Sequence, residues 1–205
     1  MRERVSMLDI TMTLTDSVIR FIEETGYPGI VFLMALESAC IPVPSEVIMP
    51  FSGYIAWQQN LTLTGVVIAG ALGNLLGSLL AYIAGLKGGR PLLERYGPYI
   101  MITGGKLRMA DEWFERYGHE AVLISRMLPV IRTFISLPAG IARMDLKKFV
   151  IYTFAGSLPW CLILAYSGYL LGPRWTSLRP VLHALDYAIL IAIPLILLYI
   201  YRKIR

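Results

Sequence analysis

Residues Ser125 to Gly140 read SRMLPVIRTFISLPAG, an apolar run that carries two arginines, Arg126 and Arg132, and two prolines, Pro129 and Pro138. A guanidinium stays charged at any working pH, and placing one at bilayer depth costs about 2.5–3.5 kcal/mol on insertion scales. Each proline removes a backbone donor and disfavours α geometry at the residue before it, so one straight helix does not fit. A broken segment lining a polar cavity satisfies both constraints. The alternative is that both arginines lie at the membrane surface and snorkel their charges into water.

The whole chain reads as an integral membrane protein. It is 56% hydrophobic and 16% charged, with a mean hydropathy of +0.61, where soluble domains average about 45–50% and about 25%. The net charge of +5 sits mostly at the ends of apolar runs. That is how topology signals are placed, so no nucleic-acid partner is implied. The first twenty residues lack an apolar stretch of signal-peptide type, and no cleavable signal is expected. Cys40 and Cys161 lie in apolar segments and read as packing residues. No metal site and no cofactor is expected.

In chain order, residues 1–26 form an N-terminal amphipathic helix on the membrane, with Leu14, Val18, Phe21 and Ile22 at helical spacing. The next apolar segment, Tyr27 to Trp57, holds Glu37, Glu46, Pro42, Pro44 and Pro50. It reads as a re-entrant hairpin over about 28–57, with its tip near Pro42–Ser45. A kinked spanning helix with Glu46 at the surface is the alternative. Leu61 to Leu86 is uncharged and long enough to span; its Gly73 and Gly77 permit close helix packing, and Asn74 reads as interhelical glue. Lys87 to Tyr117 is polar and basic, expected as short helical pieces broken at Pro91 and at Gly104–Gly105. Trp113, Phe114 and Tyr117 there suit an interface. A second re-entrant hairpin follows over about 119–143, then spans at Phe149–Leu171 and Val181–Tyr201.

Lysine and arginine counts give the topology: six in 87–117, three in 143–148 and three at the C-terminus. All three groups share one side if the second hairpin is re-entrant, and that side is cytoplasmic. The two broken segments also resemble each other. IPVPSEVIMPFSG and LPVIRTFISLPAG both begin apolar-Pro-Val and end in a small residue and glycine, at Gly53 and Gly140. After them, Ala81-Tyr82 leads to Gly88 and Arg90, and Ala165-Tyr166 leads to Gly172 and Arg174. An inverted repeat of hairpin plus helix, a secondary-transporter arrangement, accounts for this.

One hairpin brings two carboxylates and the other two guanidiniums, which would offset each other's burial cost. Paired arginines suit a phosphate, because the planar fork donates two parallel hydrogen bonds. A carboxyl group withdrawn from water can bind and release a proton. The residues therefore suggest a phosphate headgroup on Arg126 and Arg132, with Glu37 and Glu46 coupling its release to protons. A purely structural Glu–Arg lock is the competing reading. No enzyme constellation is visible: His119 and His183 lie far apart, and HxxxH, GxSxG and P-loop motifs are missing. A membrane phosphatase would need a nucleophile beside the arginines.

Glu37–Glu46, Gly73–Gly77, Phe114–Gly118 and Ser125–Gly140 together resemble the DedA family of bacterial inner-membrane proteins, with its VTT/SNARE-associated-type domain. The likeness runs from about residue 27 to 172. It implies two opposed re-entrant hairpins and lipid transport across the bilayer, most closely the branch that returns undecaprenyl phosphate to the cytoplasmic leaflet. The family's functional acidic and basic residues match Glu37, Glu46, Arg126 and Arg132. Many members have Asp where this chain has Glu46.

The expected architecture is all-α and polytopic. It has two oppositely oriented hairpins in an inverted repeat, about three spanning helices, a transport core over 27–172 and a C-terminal helix with basic tail over 173–205. Ser45, Ser125 and Thr133 are expected to add hydroxyl contacts to the phosphate. Pro42, Pro44, Gly53, Pro129, Pro138 and Gly140 are expected to shape the hairpins, the two glycines by permitting tight returns. The expected protein is a multi-pass carrier of the bacterial cytoplasmic membrane, with a possible homodimer. A phospholipid flippase or scramblase and a small-ion or drug exchanger are the alternatives.

Overall fold

The computed structural model describes residues 17–39, 41, 44–96, 104–128 and 131–178. Pro42, Pro129, the 181–201 segment and the C-terminus lie outside the described residues. Every regular element among those described is helical. The order is α1 (17–25), α2 (Tyr27–Ser38), α3 (Ser45–Trp57), α4 (Leu63–Ala84), α5 (Arg90–Tyr96), α6 (Gly104–Ser125), α7 (Ile131–Phe134), α8 (Ser136–Ile141) and α9 (Leu146–Leu171). A wide π-type turn, Gly85–Gly89, joins α4 to α5, and a 3₁₀ turn, Gly172–Leu178, follows α9. Among the described residues, two continuous helical stretches are long and apolar enough to cross a membrane, Leu63–Arg95 and Leu146–Ser177.

The helices form two compact units. The first holds α1, α2, α3, α4 up to Ser78 and α9 from Ser157. The second holds α4 from Leu79, then α5 to α8, and α9 up to Gly156.

In the first unit, α1 is amphipathic, with Val18 and Ile22 buried and Arg20, Glu23 and Glu24 exposed. Gly26 turns the chain into α2 at φ +63°, a left-handed conformation that glycine adopts without a Cβ penalty. The Gly73 and Gly77 pair of α4 lies against α2. A Cβ on Gly73 would collide with the Val31 carbonyl, and one on Gly77 with the Ala35 carbonyl. Helices α3 and α9 cross in the same way: Gly53 lies on the Ala165 carbonyl, and Gly168 lies on the Pro50 carbonyl.

The second unit contains a matching crossing. Gly140 of α8 lies on the Tyr82 carbonyl, and Gly85 lies on the Leu137 carbonyl. Around it a core forms from Tyr82, Phe114, Val122, Ala139, Met144 and Phe149. Tyr82 donates to the Met144 carbonyl at 2.5 Å and packs on Phe149 with ring centroids 4.8 Å apart. Arg90 ties three elements together by donating to Glu94 (2.7 Å), Asp111 (2.5 Å) and the Ile141 carbonyl (3.0 Å). Asp145 caps α9 by accepting from the Lys148 N–H at 2.8 Å.

Several expectations change. Gly53 and Gly140 each lie inside a helix, where the missing Cβ admits a neighbouring backbone. Pro91 does not break the helical path. It falls at the second position of α5, just after the π-type turn, within the continuous helical stretch Leu63–Arg95. The stretch from Gly104 is one helix of 22 residues, α6, not short pieces. Its apolar positions are helically spaced on two faces: Leu107, Phe114 and Val122 point into the core, while Met109, Trp113, Tyr117 and Ile124 are exposed. Phe114 is therefore a core residue, whereas Trp113 and Tyr117 are exposed.

Gly140→Ala should lower unfolding stability by about 1–3 kcal/mol through backbone overpacking. Gly88→Ala is the control, since a Cβ there meets nothing within 4 Å. Thermal unfolding in detergent checks both; equal midpoints would contradict the crossing. For Trp113, the fluorescence lost in Trp113→Phe should be quenched more by shallow than by deep brominated lipid in proteoliposomes.

Candidate functional site

Two helix interruptions carry the buried charges. The first separates α2 from α3. Glu37, in the last turn of α2, is 8% exposed, and its Oε1 accepts from the backbone N–H of Ser45 at 3.2 Å. Ser45 is the first residue of α3 and is fully buried. The carboxylate thus satisfies one of the orphan donors of α3 and lies at the positive end of its dipole. Glu46, partly buried, also sits in the first turn of α3. Pro44 precedes the helix in extended geometry, φ −76° and ψ 122°. Beside Glu37, Ser38 donates to the Asn74 Oδ1 at 2.7 Å, which ties α2 to α4.

The second interruption follows α6. The chain turns at Arg126–Leu128 and resumes as the short helices α7 and α8. Arg126 is 1% exposed and Arg132 2%. Arg126 Nη1 donates to the carbonyl of Arg132 at 2.7 Å, and Nη2 donates to Ser136 Oγ at 2.8 Å and Thr153 Oγ1 at 3.5 Å. Ser125 turns its hydroxyl back to the Val122 carbonyl at 2.8 Å, so its proton is committed to its own helix. Thr133 is half-buried on α7. Pro138 lies within α8, where its carbonyl accepts from the Ala142 N–H at 2.9 Å.

Of the residues expected at the site, then, Glu37 meets Ser45 and Arg126 meets Arg132. The acids belong to the first unit and the arginines to the second. Ser136 and Thr153, which bond the Arg126 guanidinium, were not anticipated. A hydroxyl in an apolar helix has no periodic or charge signature, so only the fold shows what it touches. The second unit also holds a pocket of about 450 Å³ lined by Glu115, His119, Arg143 and Lys148 among others. Among the described residues, no group of three His, Cys, Asp or Glu side chains could hold a metal ion.

A buried guanidinium and a buried carboxylate, each bonded to backbone at a helix interruption, can do two things chemically. They can stabilise the interruption, and they can exchange their backbone partner for an external charge.

The chain is 34% identical over 194 residues to undecaprenyl phosphate transporter A of Bacillus subtilis, covering 94% of this chain and 96% of that one. It is 38% identical to the membrane protein YkoX of the same organism, over 100% of this chain and 89% of the other. It is 31% identical to an alkaline phosphatase-like protein of Lactococcus lactis, covering 89% and 88% of the two chains. No solved structure matches. The VTT domain matches residues 43–170, which include both arginines and Glu46. The chain therefore belongs to the VTT-domain family, the DedA proteins its motifs resemble.

Proposed function

We propose that the chain is a carrier that moves a lipid phosphate, undecaprenyl phosphate in the first place, across the bacterial cytoplasmic membrane. The observation that carries this reading is the pair of fully buried arginines, Arg126 and Arg132, in a chain with membrane-spanning helices. Permanent charge at such a position is retained for a ligand or a pathway more readily than for stability. The name of the Bacillus relative supplies the lipid. In this reading Arg126 and Arg132 bind the phosphate, and the polyprenyl tail stays in the bilayer.

The two matched helix crossings support an inverted repeat of hairpin plus spanning helix. In each, two glycines lie on two carbonyls, Gly53 and Gly168 in one and Gly140 and Gly85 in the other. The hairpins would enter from opposite sides, with the basic segments and the C-terminus in the cytoplasm. Proton coupling would act through Glu37. A carboxylate accepts more strongly than a neutral acid, so protonation weakens its hold on the Ser45 N–H and loosens the start of α3. Glu46, in the same first turn, would be the second proton-binding group.

Native mass spectrometry of the purified protein is the direct test. Undecaprenyl phosphate should bind in preference to phosphatidylethanolamine and phosphatidylglycerol, and Arg126→Ala and Arg132→Ala should each remove that preference. Equal binding of all three lipids would favour a general phospholipid translocase. Release of inorganic phosphate from the lipid would favour an enzyme. Separately, Glu37→Ala should destabilise the protein by about 0.5–2 kcal/mol, the range for losing a helix cap. Glu37→Gln, which keeps an acceptor, should cost less and should weaken the pH dependence of transport in proteoliposomes.

A further inference from the structure

Arg126 is bonded to protein groups through both terminal nitrogens: to the Arg132 carbonyl, to Ser136 Oγ and, more weakly, to Thr153 Oγ1. Ser136 and Thr153 are both fully buried. Their oxygens have lone pairs for guanidinium N–H groups in a place with little water to compete. The stem of Arg126 is also held. A Cβ on Gly156 would stand 2.9 Å from Arg126 Cβ and 3.2 Å from its Cγ, so the missing side chain makes the slot in which Arg126 lies. Thr153 and Gly156 are three residues apart on α9 and therefore share one face.

We propose that Ser136, Thr153 and Gly156 form a seat that orients the Arg126 guanidinium, beside the Arg132 backbone, for the phosphate. Ser136, Thr153 and Gly156 are thus positioning residues. They act through Arg126 and need not touch the ligand. The inference rests on the reading of the two arginines as the phosphate site. Its structural half, the seat itself, can be measured without any ligand.

Thr153→Val keeps the side-chain shape and removes the acceptor, Thr153→Ser keeps the acceptor, and Ser136→Ala removes the other one. Two readouts on the full chain in detergent decide the matter. The first is backbone hydrogen exchange over 131–141, which should quicken in Thr153→Val and Ser136→Ala and match wild type in Thr153→Ser. The second is native mass spectrometry with undecaprenyl phosphate against the uncharged undecaprenol. The two acceptor deletions should cut the preference for the phosphate about tenfold each, the effect of one hydrogen bond to a charged group, while undecaprenol binding is unchanged. Thr153→Ser should retain the preference. Unaltered exchange in both deletions would overturn the seat. So would an equal fall in phosphate and alcohol binding, which marks general loss of structure. A wild-type protein with no preference for the phosphate would instead overturn the phosphate reading, and exchange alone would then judge the seat.

Discussion

A helix interrupted inside an apolar environment leaves backbone N–H and C=O groups without intrahelical partners, and there is no bulk water to take their place. This chain meets that constraint with charge of the matching sign. At the start of α3 the exposed groups are donors, and the carboxylate of Glu37 accepts from one of them. At α7 the backbone partner is an acceptor, the Arg132 carbonyl, and the guanidinium of Arg126 donates to it. Each ionic side chain is therefore costly to bury and also the strongest partner for the backbone it serves. The rest of the fold brings these breaks to regular helices that can hold them.

What holds the breaks is close backbone packing. Helices α3 and α8 each follow an interruption, and each meets a segment of a long helix through a pair of glycines rather than through large side chains. The segments after the breaks are short, six residues in α8 and thirteen in α3. Short helices are marginal by themselves, so tertiary contact must supply their stability. Around Gly140 it comes from the Tyr82, Phe149 and Met144 cluster, and from Arg90 gripping the carbonyl of Ile141.

The helical class, the membrane character and the two long described helices were legible because uncharged apolar runs of that length leave few alternatives. The charged breaks were legible for the converse reason: Glu37, Arg126 and Arg132 violate an apolar pattern. What was not legible depended on neighbours. Gly53 and Gly140 follow prolines and look like turn residues, yet each packs on a carbonyl, more than a hundred residues away in one case and more than fifty in the other. Phe114 sits between exposed neighbours in the sequence and on the buried face of α6 in space. Pro91 looked like a helix breaker because the extra residue of the preceding π-type turn is invisible in a pattern built on 3.6 residues per turn. Ser136 and Thr153 offered no signal at all.

The glycine crossings have a mechanical consequence. Helices that interlock through large side chains can move past one another only by jumping from groove to groove, one helical turn at a time. Where α8 meets Tyr82, and where α3 meets Ala165, the contact is smooth backbone on smooth backbone. Such a joint has no teeth. Along the line where the glycines lie, relative movement of the two backbones would meet no side-chain ridge.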